Sequence, residues 1–302
     1  MADLISKLVL GTAQFGLNYG INNSSGKPAR EKSFEILDFA YEKGLRIFDT
    51  AYVYGEAEEI LGEFKQSRGL NEEIKIITKL KSNIIAEDGV AAYEVIAASL
   101  KESLLRLKSD YVDGCLFHEP AYVRNKKLVD CLVKLKEQGL AKNIGVSIYE
   151  AADALYAVNL SEVDYIQIPY NIFDQRLDKT EFFALAKKNN IKVFARSPFL
   201  QGLFFMSEEK IPPPLKKIKV YLKELDEIIN KYNLSRQQAA LLFSLSHENI
   251  DYVVFGVDNI GQLEEYISIA KQEIDFKPCF EELRGRFNNI EKNIISPNLW
   301  KI

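Results

Sequence analysis

The feature that most constrains this chain is an alternation that runs from end to end. Eight short runs rich in β-branched and aliphatic residues read as strands: Leu8–Gln14, Arg46–Asp49, Ile74–Lys79, Val112–His118, Asn143–Ile148, Tyr165–Pro169, Lys192–Ser197 and Tyr252–Val257. Several are continuous apolar runs, as in Tyr252-Val253-Val254-Phe255. Strands buried on both faces look like this, and they favour a parallel sheet. Helical spacing fills the intervals. Phe34, Leu37 and Tyr41 mark one apolar stripe, with Gly44 at the C-cap position. Leu128, Leu132 and Leu135 mark another, closed by Gly139, and Ser235 to Gln238 has capping-box spacing. Eight strands each followed by a helix is the arithmetic of an α/β chain folded as a (β/α)8 TIM barrel. A doubly wound sheet needs fewer strands and usually a Gly-rich first turn.

The interval between strands seven and eight is long enough for two helices, Ile218–Tyr232 and Ser235–Glu248, and a further one is expected near Phe280–Ile290. The expectation is therefore a barrel with extra helices before strand eight and at the C-terminus. No Pro-, Gly- or Ser-rich linker divides the chain, so residues 1–302 are expected to form one domain.

Charge and cysteine content narrow the partners. With 39 basic and 43 acidic residues the formal charge is −4, which gives no basic excess for nucleic acid and no attraction to an anionic membrane. Three cysteines are too few for a disulfide scaffold. The first ten residues lack a basic region followed by a long apolar run, and no stretch approaches about 18 uninterrupted apolar residues. A cytoplasmic protein is expected, monomeric or weakly self-associating. Two histidines, with neither Cys-x-x-Cys nor His-Glu-x-x-His, leave no zinc signature, so no metal is expected.

In such a barrel the chemistry sits at the C-terminal ends of the strands. Strand two ends in Asp49, strand three in Lys79 and strand four in His118; Tyr54 follows Asp49 closely. Singly, each would be read as a cap, a rim charge or packing. Together, in Phe48-Asp49-Thr50-Ala51-Tyr52-Val53-Tyr54-Gly55 followed by Lys79 and His118-Glu119-Pro120, they resemble the aldo-keto reductase superfamily. Gly145-Val146-Ser147, Gln167 and Ser197-Pro198 extend the resemblance, which runs from Gly11-Thr12 to Gly256. The first loop, Leu10 to Gly20, looks like that of a bacterial subgroup of the family often associated with surface-sugar biosynthesis.

The resemblance implies an NAD(P)-dependent oxidoreductase that reduces an aldehyde or ketone by hydride transfer from nicotinamide. Catalytic roles carry over to Asp49, Tyr54, Lys79 and His118. Tyr54 would protonate the carbonyl oxygen. A phenol has a pKa near 10, and a nearby cation lowers it, with Lys79 as candidate and Asp49 holding Lys79 charged. His118 would donate or orient a hydrogen bond where negative charge develops. The resemblance assigns Gly11, Thr12, Asp49, Ser147, Gln167, Arg196, Ser197, Leu200, Gly202, Gly256, Val257, Asp258, Gln262 and Glu265 to the cofactor. Ser147 and Gln167 would hold its carboxamide, and Ser197–Gly202 would run along its pyrophosphate. No Gly-x-Gly-x-x-Gly is present, and neither Gly-x4-Gly spacing is followed by the lysine of a P-loop.

Three positions depart from the family pattern. Ile148 replaces a common Asn. Arg196 replaces a common aromatic; a guanidinium can stack on the ring, reach a substrate anion, or pair with Asp174 or Glu119. After strand eight no basic residue awaits a 2′-phosphate, and Asp258 would repel one. The cofactor is therefore NADPH or NADH, with no preference decided. Gln14, Tyr54, His118 and Glu119 are the candidate substrate contacts. Polar Gln14, Asn18, Glu119 and Arg196 suggest a hydroxylated or charged substrate, a sugar or nucleotide-sugar carbonyl being the first choice. Asn18–Gly26 could equally be a solvated connection. Phe204, Phe205 and the Leu299-Trp300 tail could cap the pocket or pack on outer helices. His247, at a helix end, is expected to be a solvated charge.

Two other functions compete. One is a regulatory protein that binds cofactor and senses redox state with little turnover. The other is a Schiff-base aldolase with Lys79 as nucleophile, which would need Lys79 neutral in an apolar pocket.

Overall fold

Residues 4–82 and 89–300 are described by the computed structural model. Eight strands form a closed barrel: β1 Leu8–Gly11, β2 Ile47–Asp49, β3 Lys75–Lys79, β4 Gly114–Phe117, β5 Ile144–Ser147, β6 Tyr165–Pro169, β7 Lys192–Arg196 and β8 Tyr252–Phe255. Every neighbouring pair is parallel, and β8 pairs back onto β1. The helices are α1 Ala13–Gly16, α2 Arg30–Glu42, α3 Ala57–Arg68, α4 Gly89–Arg106, α5 Lys126–Glu137, α6 Ala151–Ala157, α7 Phe182–Lys188, α8 Ile218–Asn230, α9 Arg236–Leu245, α10 Ile260–Lys271, α11 Lys277–Arg286 and α12 Lys292–Ile295.

This is the expected barrel, with α8 and α9 together before β8 and α11 and α12 after it. The ends of elements differ from the expectation. β1 stops at Gly11 rather than Gln14, because residues 13–16 turn into the short helix α1. The C-terminal helix spans Lys277–Arg286 rather than ending near Ile290. The capping box at Ser235 and Gln238 forms as the spacing predicts, and Gly44 and Gly139 take φ of +98° and +74° just past α2 and α5.

Side-chain alternation divides the core in two. Leu8, Leu10 and Phe48 face outward and pack under the helices. Val9, Ile47, Ile77, Leu116, Phe194 and Val254 form a separate cluster inside the barrel. Tyr165 and Tyr252, at the starts of β6 and β8, lie against Phe194 with ring centroids 5.1 and 4.6 Å away. These rings fill the N-terminal end of the barrel. The open end is the other one.

A period of two now fixes what lines that open end. Two residues beyond each inward-facing apolar side chain come Gly11, Asp49, Lys79, His118, Arg196 and Gly256. Ser147 and Gln167 fall on the same face of β5 and β6, since Gly145 pairs with Tyr165 and Ser147 with Gln167. Each strand thus contributes one residue to a layer directly above the apolar one, polar at six strands and glycine at β1 and β8.

Candidate active site

The polar layer is hydrogen-bonded across the barrel. The Lys79 ammonium donates to Asp49 Oδ2 at 2.6 Å and to the Thr50 carbonyl at 2.8 Å. The Gln167 amide donates to the other Asp49 oxygen at 2.7 Å, and Ser147 Oγ donates to Gln167 Oε1 at 3.2 Å. Lys79 and Asp49 are almost wholly out of solvent, with side chains 1% and 5% exposed. Burial pulls the Lys79 ammonium below the ordinary lysine range, and the Asp49 carboxylate opposes that pull. Thr12 steadies the pair from β1, its N–H and hydroxyl both donating to the Asp49 carbonyl.

Tyr54 stands on the loop after β2. Thr50 N–H donates to the Ile77 carbonyl at 2.8 Å and Tyr52 N–H to the Lys79 carbonyl at 3.0 Å, so β3 carries the loop. The loop also packs tightly on α1. A Cβ on Gly16 would lie 1.7 Å from the Tyr54 carbonyl oxygen, and one on Gly55, at φ +54°, would lie 2.6 Å from the Gly16 carbonyl oxygen. Only glycine fits this contact, which sets the height of Tyr54 above the barrel. The Tyr54 ring meets His118 edge-on at a centroid distance of 5.9 Å, and the Lys79 ammonium is 5.2 Å from the Tyr54 ring centroid. No described residue hydrogen-bonds the Tyr54 hydroxyl.

The electrostatics of Tyr54 correct one expectation. Burial and then the Asp49 charge push its phenol above the usual value, and Arg196 is the cation that opposes them. The expected net lowering is not seen, because burial outweighs the cations near the ring. His118 is held neutral: burial, then Lys79 and Arg196, bring its pKa down to about 3. Its Nδ1 is buried without a hydrogen-bond partner among the described residues.

An open cleft, about 880 Å³ counting the solvent space at its mouth, lies above this layer. Of the residues named from sequence, Gly11, Gln14, Asp49, Tyr54, Gln167, Arg196, Ser197, Gly202, Gly256, Asp258 and Gln262 line it. Lys79 and Ser147 are buried beside it and reach it through Asp49 and Gln167. The remaining assignments lie outside the lining. Thr12, Leu200 and Val257 are buried, His118 meets Tyr54 without lining the cleft, Glu265 is exposed on α10, and Glu119 heads the turn Pro120–Arg124 rather than facing the cleft. Asp258 is tied to Gln262: its N–H donates to Gln262 Oε1 at 2.8 Å, and Gln262 Nε2 donates to its carboxylate at 3.3 Å. Burial raises the Asp258 pKa against that hydrogen bond.

The lining also includes residues that the sequence did not single out. Tyr19, Asn22 and Asn23 come from the β1 loop, Phe199 and Gln201 from the β7 loop, and Tyr266 from α10. The two loops join over the cleft. Ile21 N–H donates to the Gln201 carbonyl at 3.0 Å, and Gln201 Nε2 to Tyr19 Oη at 3.2 Å. The stretch after Asn18 is therefore part of the wall, not a solvated connection. Leu200, Gln201 and Gly202 all have positive φ there.

Three further expectations are corrected. Arg196 pairs with neither Asp174 nor Glu119. Asp174 is taken by Arg176 at 2.8 Å, while Arg196 stacks on Tyr149, 4.6 Å from its ring centroid, and donates to the Ile148 carbonyl at 2.9 Å. His247 is 5% exposed, not solvated, because the end of α9 points into Tyr170, Phe183 and Phe280. Phe205 reaches the cleft; Phe204 is buried against Phe173, and Trp300 donates to the Ile294 carbonyl beside α12.

Among the described residues, no group of three His, Cys, Asp or Glu side chains is placed to hold a metal ion, and no helix is long and apolar enough to cross a membrane. The three cysteines are free and buried. The cleft opens at the C-terminal ends of the strands, where barrels of this kind bind their ligands. Its wall is bare backbone at Gly11, Gly202 and Gly256, and the Gln14 amide passes so close to Gly256 that a Cβ there would lie 2.3 Å from it. These features fit a dinucleotide.

Comparisons with known proteins agree with this geometry. The sequence model of the Aldo/keto reductase family matches residues 7–278. YqkF of Bacillus subtilis (strain 168), named as an uncharacterized oxidoreductase, is 28% identical over 285 residues, covering 87% of this chain and 90% of that one. The aldo-keto reductase YhdN of the same organism is 26% identical, covering 96% and 91%. The solved holo form of aldo-keto reductase AKR11C1 from Bacillus halodurans superposes with a TM-score of 0.75 at 20% identity, over 96% of this chain and 95% of that one, a likeness of fold. This chain belongs to the aldo/keto reductase family and is an NAD(P)-dependent oxidoreductase.

Proposed function

We propose that the protein reduces an aldehyde or ketone to the alcohol, with Tyr54 as proton donor. The observation that carries the reading is the convergence of Asp49, Lys79, Gln167 and His118 around Tyr54, which lines the cleft with Asp49 and Gln167. A bound reduced nicotinamide would supply a hydride to the carbonyl carbon. Everything else falls to the chain. Tyr54, with its phenol raised, keeps its proton until a carbonyl oxygen begins to carry negative charge. His118 is neutral and carries one ring N–H, a donor that polarises the carbonyl without a charge of its own. As the Tyr54 proton leaves, the phenolate forms near the Lys79 ammonium and within the field of Arg196, both of which favour it. Asp49 keeps Lys79 in place.

The assignments to the cofactor follow from where its parts would lie. Gln167 and Ser147 are the polar groups on the barrel floor for a carboxamide, although both are already bonded within the layer and must share their donors. The backbone of Ser197–Gly202 and the exposed peptide edges at Gly11 and Gly256 suit the diphosphate. Asp258, with no basic side chain beside it in the lining, weights the choice toward NADH without excluding NADPH. The amides of Gln14, Asn22, Asn23 and Gln201 in the wall support a polar, hydroxylated substrate of the sugar class.

The test is a fluorescence titration with NADH and NADPH in parallel, followed by loss of reduced-nicotinamide absorbance against a panel of aldehydes and ketones. Binding with turnover supports the reading. Tight binding without turnover on any carbonyl would instead support a cofactor-sensing role.

A further inference from the structure

Arg196 is a charge without a countercharge. Every other described arginine except the exposed Arg46 forms an ion pair. No described carboxylate lies within ion-pair distance of Arg196, although it is only partly exposed and lines the cleft with Tyr54. Its guanidinium is held by neutral groups alone: the Tyr149 ring, the Ile148 carbonyl at 2.9 Å and a long contact of 3.5 Å to Ser197 Oγ. Most of its five N–H donors therefore remain unengaged. The two cleft-lining carboxylates are committed elsewhere, Asp49 to Lys79 and Gln167, and Asp258 to Gln262. An unpaired guanidinium in a partly desolvated site costs stability unless a ligand completes it.

The direction of the guanidinium says which ligand. It reaches the β5 end, where it donates to the Ile148 carbonyl, while the left-handed turn at residues 200–202 packs directly on Asn22. It also borders a shallow recess shared with Tyr149, Asn171 and Asn298. Arg176, on the same cavity, is already bound to Asp174 and Glu150. A planar, rigid fork matches a carboxylate through two parallel hydrogen bonds. We propose that the substrate is a carbonyl compound bearing a carboxylate, which Arg196 grips while the carbonyl faces Tyr54. This rests on the reductase reading above and specifies its substrate class.

Two measurements on the purified full chain test it separately. Succinate, titrated calorimetrically beside neutral succinamide, probes the anion site without chemistry. Succinic semialdehyde and its methyl ester, compared by kcat/KM, probe it with chemistry. The wild type should bind succinate but not succinamide, and should prefer the acid over the ester by roughly 10- to 100-fold, the worth of a charge-assisted hydrogen-bonded pair. Arg196→Met should abolish succinate binding and bring the preference toward unity; Arg196→Lys should restore part of it. Succinate binding through Arg196 with no turnover of either aldehyde would sink the reductase reading and keep the anion site. Equal kcat/KM for acid and ester in the wild type would overturn the anion site and keep the reductase. Phosphate binding tighter than succinate, or Arg196→Met weakening NADPH binding while the acid preference persists, would reassign the guanidinium to a phosphoryl group and overturn the proposal as well.

Discussion

Replacing Asp49 by Asn tests the buried pair on which the polar layer is built. The substitution keeps the side chain's shape and an oxygen for the Gln167 amide but leaves the Lys79 ammonium, 1% exposed, without its partner at 2.6 Å. Removing one member of a buried pair costs about 3–5 kcal/mol, mostly from the uncompensated charge left behind. At about 2.1 cal/mol/K per residue, the 302-residue chain has an unfolding entropy of about 0.6 kcal/mol/K, so Tm should fall by about 5–8 °C. The double substitution Asp49→Asn with Lys79→Met removes both charges and should recover most of that loss, since an apolar replacement of a whole buried pair is often neutral. Burial also lowers the Lys79 pKa, so the unfolded chain binds the extra proton and stability rises with pH toward the ordinary lysine value. The deficit of Asp49→Asn should therefore narrow in alkaline buffer. Scanning calorimetry of wild type, both singles and the double at two pH values reads all of this. A Tm within about 1 °C of wild type for Asp49→Asn, or a double variant that shows simple additivity, would refute the account of a desolvated pair.

Other consequences are read by different assays. His118 has a folded pKa of about 3 against an ordinary 6.5, so the unfolded chain binds the extra proton between those values; stability should decline below pH 6.5 by up to about 1.4 kcal/mol per pH unit, and urea titrations of His118→Asn should show a shallower acid limb. Gly16→Ala would drive a methyl into the Tyr54 carbonyl, so it should cost about 1–3 kcal/mol or more and impair turnover further by tilting Tyr54; an unchanged melt would show that the loop yields. Asp258→Ser should raise affinity for NADPH relative to NADH in parallel titrations, and an unchanged ratio would remove Asp258 from the choice of cofactor.

Much of the fold was legible because a closed parallel barrel leaves local marks. Both faces of each strand are buried, so runs such as Tyr252–Phe255 stand out, and the period of two carries the inward-facing Ile47, Ile77 and Leu116 directly to Asp49, Lys79 and His118. What escaped depends on contacts far apart in the chain. Gln201 meets Tyr19 across 182 positions, and no local pattern announces that two loops join over the cleft. His247 looked like a helix-end charge because its neighbours in sequence are polar, yet its neighbours in space are aromatic rings on α7 and α11. Arg196 invited an ion pair with Asp174, but Arg176 stands closer and takes both of its oxygens. The expected lowering of the Tyr54 pKa by Lys79 overlooked burial, which raises the phenol and depends on contacts far apart in the chain.

The most direct test of the central claim, that Tyr54 protonates a carbonyl as it is reduced, is a single-turnover comparison of wild type and Tyr54→Phe. Each protein is loaded with reduced nicotinamide dinucleotide and mixed with an aldehyde that the wild type reduces. The account predicts a rate lower by about 10²- to 10⁴-fold, the usual worth of a positioned general acid, with the cofactor dissociation constant changed by less than about threefold, a free-energy change well under 1 kcal/mol. A Tyr54→Phe protein that reduces the aldehyde at the wild-type rate would contradict it, and the proton would have to come from His118 or another group.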